Sequence, residues 1–245
     1  MAARVAEFER DGPDPALHQM VVLGHSQGGL LTKLTAVDAG DRFWRNISTE
    51  PFDEVPMSPQ TRDMVREVMF VTPLPFVKRV IFLCTPHRGS FLAAPRILRR
   101  LIARLVRLPA DLERVVAEMT GLSSSGRHYV SLERGRIPTS VDNMHPEHPF
   151  IRTLIDLPIA PGIDANSIIA VSPGADVEQG GDDGVVEYES AHLAGVESEL
   201  IVRSDHSAQS PQTVAEIRRI LSKHLADVQA ATTAVRRRSG IEKRR

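Results

Sequence analysis

The 245-residue sequence contains a single cysteine, Cys84. One cysteine excludes an intrachain disulfide bond and any metal cluster built from several cysteines. No apolar run approaches the roughly 20 residues of a transmembrane helix. The first 19 residues carry several charges and lack the apolar core of a signal peptide. These absences predict a cytoplasmic protein.

Neither sign of charge is in excess, because 30 lysine and arginine residues balance 31 aspartate and glutamate residues and leave a net charge of −1. Such a chain has no general attraction for nucleic acid or for an anionic membrane, and we expect neither as a partner. The exception is the basic C-terminal end at 236–245. We interpret residues 231–245 as a disordered tail and residues 1–230 as one domain.

Short apolar runs alternate with helix-forming segments along the chain. Continuous apolar runs are typical of strands covered on both faces, and such strands are predicted at 20–23, 79–84, 167–171 and 199–202. Helices are predicted at 2–10, 28–39, 95–107 and 149–156. The alternation predicts an α/β fold, in which a parallel sheet carries helices on both faces.

A last helix is predicted to begin with Ser210 as its N-cap and Pro211 at its first helical position. Its apolar stripe, expected to pack on the sheet, consists of Val214, Ile217, Leu221, Leu225 and Val228.

The stretch Gly24-His25-Ser26-Gln27-Gly28 fits the pattern G-x-S-x-G between a predicted strand and a predicted helix. Gly24 and Gly28 allow a strained turn that lifts the Ser26 hydroxyl above the sheet, at the positive end of the helix. We interpret Ser26 as a nucleophile rather than an incidental serine in a glycine-rich turn. The backbone N–H of Gln27 is then placed to donate to an oxyanion.

A nucleophilic serine requires a histidine base and an acid that orients the base. After this kind of turn the chain order is Ser, Asp or Glu, His, so the acid is expected after the third predicted strand. The candidates there are Asp176, Glu178, Asp182 and Asp183. Asp183 is favoured because the glycine after it permits a turn that directs the carboxylate inward, and Asp182 is the nearest competitor. A solvated acidic loop remains an alternative.

Four histidines compete for the role of base. His206 is favoured because it directly follows the fourth predicted strand. His25 precedes the nucleophile and is expected to point away from it, His87 follows the second strand, and His192 lies before the fourth strand. An ordinary surface position for His206 stays open.

The motifs VLGHSQGG, FLCTPHRGS, GDDGVV and RSDHS occur in the order found in α/β-hydrolase lipases and esterases, and residues 1–228 resemble that family. The likeness is greatest to a bacterial branch similar to the GPI-inositol deacylases and lecithin–cholesterol acyltransferase. This resemblance implies hydrolysis of a small-molecule or lipid carboxylic ester through an acyl-serine, with no metal or organic cofactor. It matches Ser26, Asp183 and His206 to the family's nucleophile, acid and base.

In that family the elbow strand follows at least two earlier strands, whereas only 19 residues precede Met20. The chain therefore resembles the C-terminal two-thirds of a hydrolase, without the loop that donates the second oxyanion hydrogen bond. The strand at 20–23 is then expected to be an exposed edge that can pair with a missing N-terminal segment or with another chain. Two alternatives stay open: a catalytically incompetent chain that binds a partner, and an acyltransferase.

Residues 86–166 occupy the position at which this fold commonly inserts a cap. The predicted helix at 95–107 has an apolar stripe and an arginine-rich face. Such a helix suits a lipid surface or a cap packed on the core with its basic face in solvent. We favour the packed cap.

Overall fold

The computed structural model describes residues 2–90, 110–124 and 145–242. Its parallel sheet has the strand order β1-β2-β3-β4, with strands at Met20–His25 (β1), Val77–Leu83 (β2), Asp164–Val171 (β3) and Ser198–Arg203 (β4). The four predicted strands and the α/β fold are confirmed. β2 ends one residue earlier than predicted because Cys84 has a φ of 48°, a left-handed conformation that no strand accommodates.

Helices cover both faces of this sheet. The α-helices of the described residues are Ala2–Phe8 (α1), Gln27–Leu34 (α2), Arg42–Arg45 (α3), Pro59–Met69 (α4), Ala110–Ser124 (α5), Pro149–Asp156 (α6), Tyr188–Ala191 (α7) and Pro211–Glu242 (α8). On one face, Val80 and Phe82 of β2 pack with Val5 of α1. On the other face, Leu83 packs with Ile217 of α8.

The bounds of two helices near the sheet, α6 and α2, can be compared with the bounds that the sequence predicts. α6 has the predicted bounds, and the ring of His148 accepts a hydrogen bond from the backbone N–H of Phe150 at its start. α2 is shorter than predicted and ends at Leu34. The chain leaves the helix there because Val37 forms an antiparallel bridge with Ile159, which lies just after α6. The predicted helix at 95–107 lies outside the described residues.

A separate apolar cluster, which the sequence did not predict, joins the segment between β1 and β2 to α5. Trp44 of α3, Phe52 of the 3-10 turn before α4, and Val65 of α4 are buried together with Val115 and Met119 of α5. The aromatic rings of Trp44 and Phe52 meet edge to face with centroids 5.0 Å apart. This cluster lies apart from the sheet, so no strand pattern could reveal it.

The starts of three strands are tied together by the buried side chain of Arg79 on β2. Its guanidinium group pairs with Asp164 at 2.7 Å, with Glu197, and with Asp227 of α8 at 3.4 Å. A guanidinium group satisfies several acceptors at once because it carries five N–H donors in one plane. At the end of the sheet opposite Ser26, Arg79 therefore connects β2 to β3, to the residue directly before β4, and to α8.

α8 begins as predicted, since the Ser210 hydroxyl oxygen accepts a hydrogen bond from the N–H of Thr213. The predicted apolar stripe is wrong in part: Val214, Leu221 and Leu225 are exposed. Among the α8 side chains that the structure describes, at 211–234, the buried ones are Thr213, Ile220 and His224. The His224 ring bonds to the Gln19 carbonyl at 2.9 Å. The polar partners rotate the helix so that a face with mixed polarity meets the sheet.

The predicted tail at 231–245 is helical as far as Glu242, because α8 continues through it. Residues 229–233 read Gln-Ala-Ala-Thr-Thr, and alanine and glutamine favour helix. Among the described helices, none is both long and apolar enough to cross a membrane.

β1 is the edge strand of the described sheet and pairs there with β2 alone. The prediction that residues 20–23 are buried on both faces is wrong, since Met20, Val21 and Val22 are only partly buried and Leu23 is 42% exposed. An edge strand has a neighbour on one side only, so part of its apolar surface remains in contact with solvent.

Candidate active site

Ser26 lies in a strained turn between β1 and α2. Its φ of 54° and ψ of −130° place it as the N-cap of α2, and such a conformation costs a non-glycine residue about 1–3 kcal/mol. Two hydrogen bonds hold the turn: the Ser26 N–H donates to the Leu83 carbonyl at 2.8 Å, and the Gly29 N–H donates to the Ser26 carbonyl at 2.9 Å. The turn therefore has the geometry that the G-x-S-x-G pattern predicts.

The glycines that pack closely at the turn are Gly24 and Gly29. The sequence suggested Gly24 and Gly28 instead. A Cβ atom added at Gly24 would lie 2.3 Å from Thr32 Oγ1 and 2.4 Å from the Gly28 carbonyl oxygen. One added at Gly29 would lie 1.8 Å from Thr85 Oγ1. A Cβ at Gly28 would meet nothing within 4 Å, because that position faces away from the strands.

The loop after β4 brings His206 onto the Ser26 hydroxyl. His206 Nε2 lies 2.8 Å from Ser26 Oγ, and His206 Nδ1 lies 2.8 Å from an oxygen of Asp183. The loop turns at Asp205, whose side chain accepts from the N–H of Ser207 at 3.0 Å. The structure thus joins the predicted nucleophile, base and acid in one chain of hydrogen bonds.

Asp183 is buried and has a fixed orientation. One carboxylate oxygen accepts hydrogen bonds from the N–H groups of Val185 at 2.9 Å and Val186 at 2.8 Å, and the other faces His206. Asp182, the competing candidate, instead accepts from the N–H of Gly184 at 2.7 Å. The turn after Asp183 therefore directs this carboxylate inward, while Asp182 only closes the turn.

The other two candidate acids, Asp176 and Glu178, are exposed. The Asp176 side chain accepts a hydrogen bond from the backbone N–H of Glu178, which caps a single turn of 3-10 helix. Neither residue has a contact with His206 in the described structure.

The three remaining candidate bases occupy different surroundings. His25 does not lie apart from the site as expected: its ring lies 5.0 Å from that of His206, and its Nε2 lies 2.8 Å from the His206 carbonyl oxygen. His192 pairs with Glu199 at 2.9 Å. His87 is 1% exposed and meets Phe82 edge to face. Burial, followed by the nearby charge of Lys33, lowers the pKa of His87 to about 3.

Cys84 also contacts this site, which the sequence did not reveal. The residue is buried directly after β2, and its sulfur lies within 4.8 Å of a ring nitrogen of His25 and of one of His206. Burial is the main cause that raises the pKa of the Cys84 thiol to about 12. The negative charge of nearby Asp183 raises the pKa of this thiol further, so Cys84 is a neutral thiol near pH 7.

Gln27, the predicted oxyanion donor, is the first residue of α2 and directly follows Ser26. The N–H groups of the first helical turn have no acceptor within their own helix, and the helix dipole places partial positive charge there. An oxyanion role for Gln27 stays a prediction.

No protein-family model matches this sequence, and no curated protein matches it. Among solved structures, the mature form of the Bacillus licheniformis lipase BlEst2 is similar with a TM-score of 0.37 and 16% identity, over 84% of this chain and 64% of the lipase chain. The propeptide form of the same lipase has a TM-score of 0.31 and 17% identity, over 80% of this chain and 48% of that one. The chain thus spans less than two thirds of either lipase chain.

Proposed function

We propose that this protein is a serine hydrolase that cleaves carboxylic esters through an acyl-serine intermediate. The observation that carries the proposal is the chain of hydrogen bonds from Ser26 Oγ through His206 to the buried Asp183, each 2.8 Å long. The strained conformation of Ser26 supports it further, since strain of this kind persists where the surrounding structure enforces it and is common at active sites.

In the proposed reaction, His206 Nε2 takes the proton of Ser26 Oγ as that oxygen attacks the ester carbonyl carbon. The backbone N–H of Gln27 donates to the oxyanion that forms. The tetrahedral intermediate then collapses, and the protonated His206 gives its proton to the departing alcohol. Asp183 accepts from His206 Nδ1 throughout and so keeps the imidazole in the tautomer whose Nε2 is a base.

The second half of the reaction repeats these steps with water. His206 takes a proton from water as the water oxygen attacks the acyl carbon, and Ser26 leaves with that proton restored. An alcohol that enters in place of water gives acyl transfer instead. All steps use side-chain and backbone groups of this chain, so the proposed reaction requires no cofactor. Together with the α/β fold, the proposal is an esterase or lipase of the α/β-hydrolase kind.

The exposed edge of β1 favours a second candidate function. Leu23 is 42% exposed on this strand, and the strand Met20–His25 contains no lysine or proline, two residues that commonly prevent pairing at sheet edges. A chain whose edge is taken by a partner can act by binding without catalysis. This candidate predicts no turnover from the chain as given.

Ester turnover separates the two candidates. We expect the wild-type chain to hydrolyse p-nitrophenyl acetate and butyrate, and Ser26→Ala and His206→Ala each to lower kcat/KM by at least about 10⁴-fold, as removal of a member of such a triad does. Ser222→Ala, an exposed serine on α8, is the matched control and should leave the rate unchanged. Equal rates for wild type and Ser26→Ala would exclude the hydrolase.

The same assay distinguishes hydrolysis from acyl transfer. When ethanol is added at increasing concentration, a hydrolase releases butyrate as the main product, whereas an acyltransferase forms ethyl butyrate with an increase in p-nitrophenol release. Product analysis by gas chromatography gives the partition directly.

A further inference from the structure

Three side chains with nitrogen or sulfur donors meet beside Ser26. A ring nitrogen of His25, the sulfur of Cys84 and a ring nitrogen of His206 all lie within 4.8 Å of one another. They meet because His25 ends β1, Cys84 directly follows β2 and His206 follows β4. The carboxyl ends of parallel strands share one edge of the sheet, so residues far apart in the chain converge there.

We propose that His25, Cys84 and His206 form a binding site for a zinc ion. Because no two of these atoms are more than 4.8 Å apart, there is a position for an ion that lies within about 2.8 Å of all three. Zn–N bonds are about 2.0–2.1 Å and Zn–S bonds about 2.3 Å. Side-chain shifts of less than about 1 Å therefore bring all three atoms to bonding distance, and a water molecule completes the tetrahedron.

The donor set favours zinc over the abundant hard cations. Imidazole nitrogen and thiolate sulfur are preferred ligands of zinc, whereas Mg²⁺ and Ca²⁺ require oxygen ligands. Binding converts the Cys84 thiol to a thiolate, and its proton leaves to solvent. His25 is exposed, so an ion can reach the cluster from solvent.

The surroundings of His206 also suit a metal ligand. A histidine that binds zinc through one ring nitrogen commonly pairs through the other with a carboxylate, which fixes the orientation of the ring. His206 Nδ1 already lies 2.8 Å from Asp183. If Nε2 is the atom that binds the ion, this pairing persists and the contact between Nε2 and Ser26 Oγ is lost.

The site therefore acts as an inhibitory site, a consequence that rests on the proposed function. A neutral imidazole that binds zinc through either ring nitrogen has no lone pair left to accept the proton of Ser26, so ester hydrolysis and zinc binding at His206 exclude each other. Removal of the ion with EDTA should restore turnover, because no covalent bond of the protein changes.

Direct binding tests the site without any assay of activity. The full chain is titrated with ZnCl₂ by calorimetry and with CoCl₂ by absorption spectroscopy, where a thiolate ligand gives a charge-transfer band in the near ultraviolet. The variants are His25→Ala and Cys84→Ser, two changes at separate elements of the site. His18→Ala is the matched control, since His18 pairs with Glu9 before β1 and is not in the cluster.

We expect one zinc ion per chain and a cobalt charge-transfer band for the wild type and for His18→Ala. His25→Ala and Cys84→Ser should each bind zinc at least about 100-fold more weakly, since even loss of a group that only orients a ligand costs 10- to 100-fold. MgCl₂ and CaCl₂ should give no saturable heat. Thermal unfolding of each variant shows whether it is folded.

Absence of saturable zinc binding to the wild type would overturn the proposal, as would wild-type affinity in either His25→Ala or Cys84→Ser. A cobalt complex without the thiolate band would exclude Cys84 as a ligand and overturn it too. The outcome is separate from that of the proposed function: a chain that binds zinc but hydrolyses no ester after EDTA has removed the ion refutes the hydrolase alone, and an esterase whose turnover zinc does not change refutes the site alone.

Discussion

Replacing the three glycines of the turn around Ser26 with alanine, one at a time, tests how closely that turn is packed. At Gly24 the new Cβ would lie 2.4 Å from the backbone oxygen of Gly28, and at Gly29 it would lie 1.8 Å from the Thr85 hydroxyl oxygen. At Gly28 it would meet nothing within 4 Å. Each variant adds one methyl group, so differences in stability among the three show how closely each position is packed.

The expected order of stability follows from what each methyl group meets. Gly24→Ala forces backbone to move and should cost about 3 kcal/mol, the upper end of the usual range for an overpacked core. Gly29→Ala displaces a buried side chain and should cost about 1–3 kcal/mol. Gly28→Ala should gain up to about 1 kcal/mol, because alanine is the better helix former. For a chain of this length each kcal/mol shifts the Tm by about 2–4 °C.

Urea and thermal unfolding measure these changes, and p-nitrophenyl butyrate turnover shows whether Ser26 moves with the backbone. A second substitution sharpens the test: Thr85→Ala removes two of the three atoms that the Gly29→Ala methyl group overlaps, so it should recover part of the loss. It should do nothing for Gly24→Ala. If Gly28→Ala loses as much stability as Gly24→Ala, the account of the turn is refuted.

Three further predictions concern buried and paired charges. Arg79→Met should lower the free energy of unfolding in urea by about 1–3 kcal/mol, less than the 3–5 kcal/mol of a fully buried pair, because its carboxylate partners remain partly exposed. A hydrogen bond from Lys223, and then Arg79, lower the pKa of Glu197 to about 2 from 4.5. Since the folded pKa is the lower one, this stabilisation is present above pH 4.5 and is lost as the pH falls toward 2, and Glu197→Gln should flatten unfolding curves in that window. The pKa of His87 is lowered from 6.5 to about 3. Between these pH values the unfolded chain binds a proton at His87 that the folded chain does not bind. The free energy of unfolding should therefore decrease as the pH falls, by up to about 1.4 kcal/mol per pH unit. His87→Leu should remove that dependence, and an unchanged pH profile would contradict the burial of His87.

Much of the fold was predictable because its elements have local signals. Buried parallel strands are continuous apolar runs, and each of the four predicted runs lies within or overlaps a strand of the sheet. The caps of α8 are equally local, since a Ser-Pro pair is enough to begin a helix. The packing of α3, α4 and α5 was not predictable, because Trp44 and Met119 share one cluster although they are about 75 residues apart, and a periodic pattern within one segment does not show which distant segment it packs against.

In the candidate site, too, some residues were predictable from the sequence and others were not. Ser26 was identified by a contiguous motif, and Asp183 and His206 by their order behind predicted strands. The contacts of Cys84 and His25 could not be foreseen, because they depend on which way a side chain points after its strand ends. Cys84 leaves β2 through a positive φ, and no signal in the residues around it predicts that conformation.

The sequence by itself determined the elements and the chemistry: four apolar runs, a serine at a strand-to-helix turn, and an acid and a base in order behind it. These are properties of neighbouring residues, and hydrophobic periodicity and turn preference are sufficient to reveal them. Only the tertiary structure decided which surfaces meet. It turned Val214 and Leu225 of α8 toward solvent, assigned close packing to Gly29 rather than Gly28, and placed His25 beside His206. Each of these outcomes depends on contacts between segments distant in the chain, and such contacts follow from the packing of the whole core.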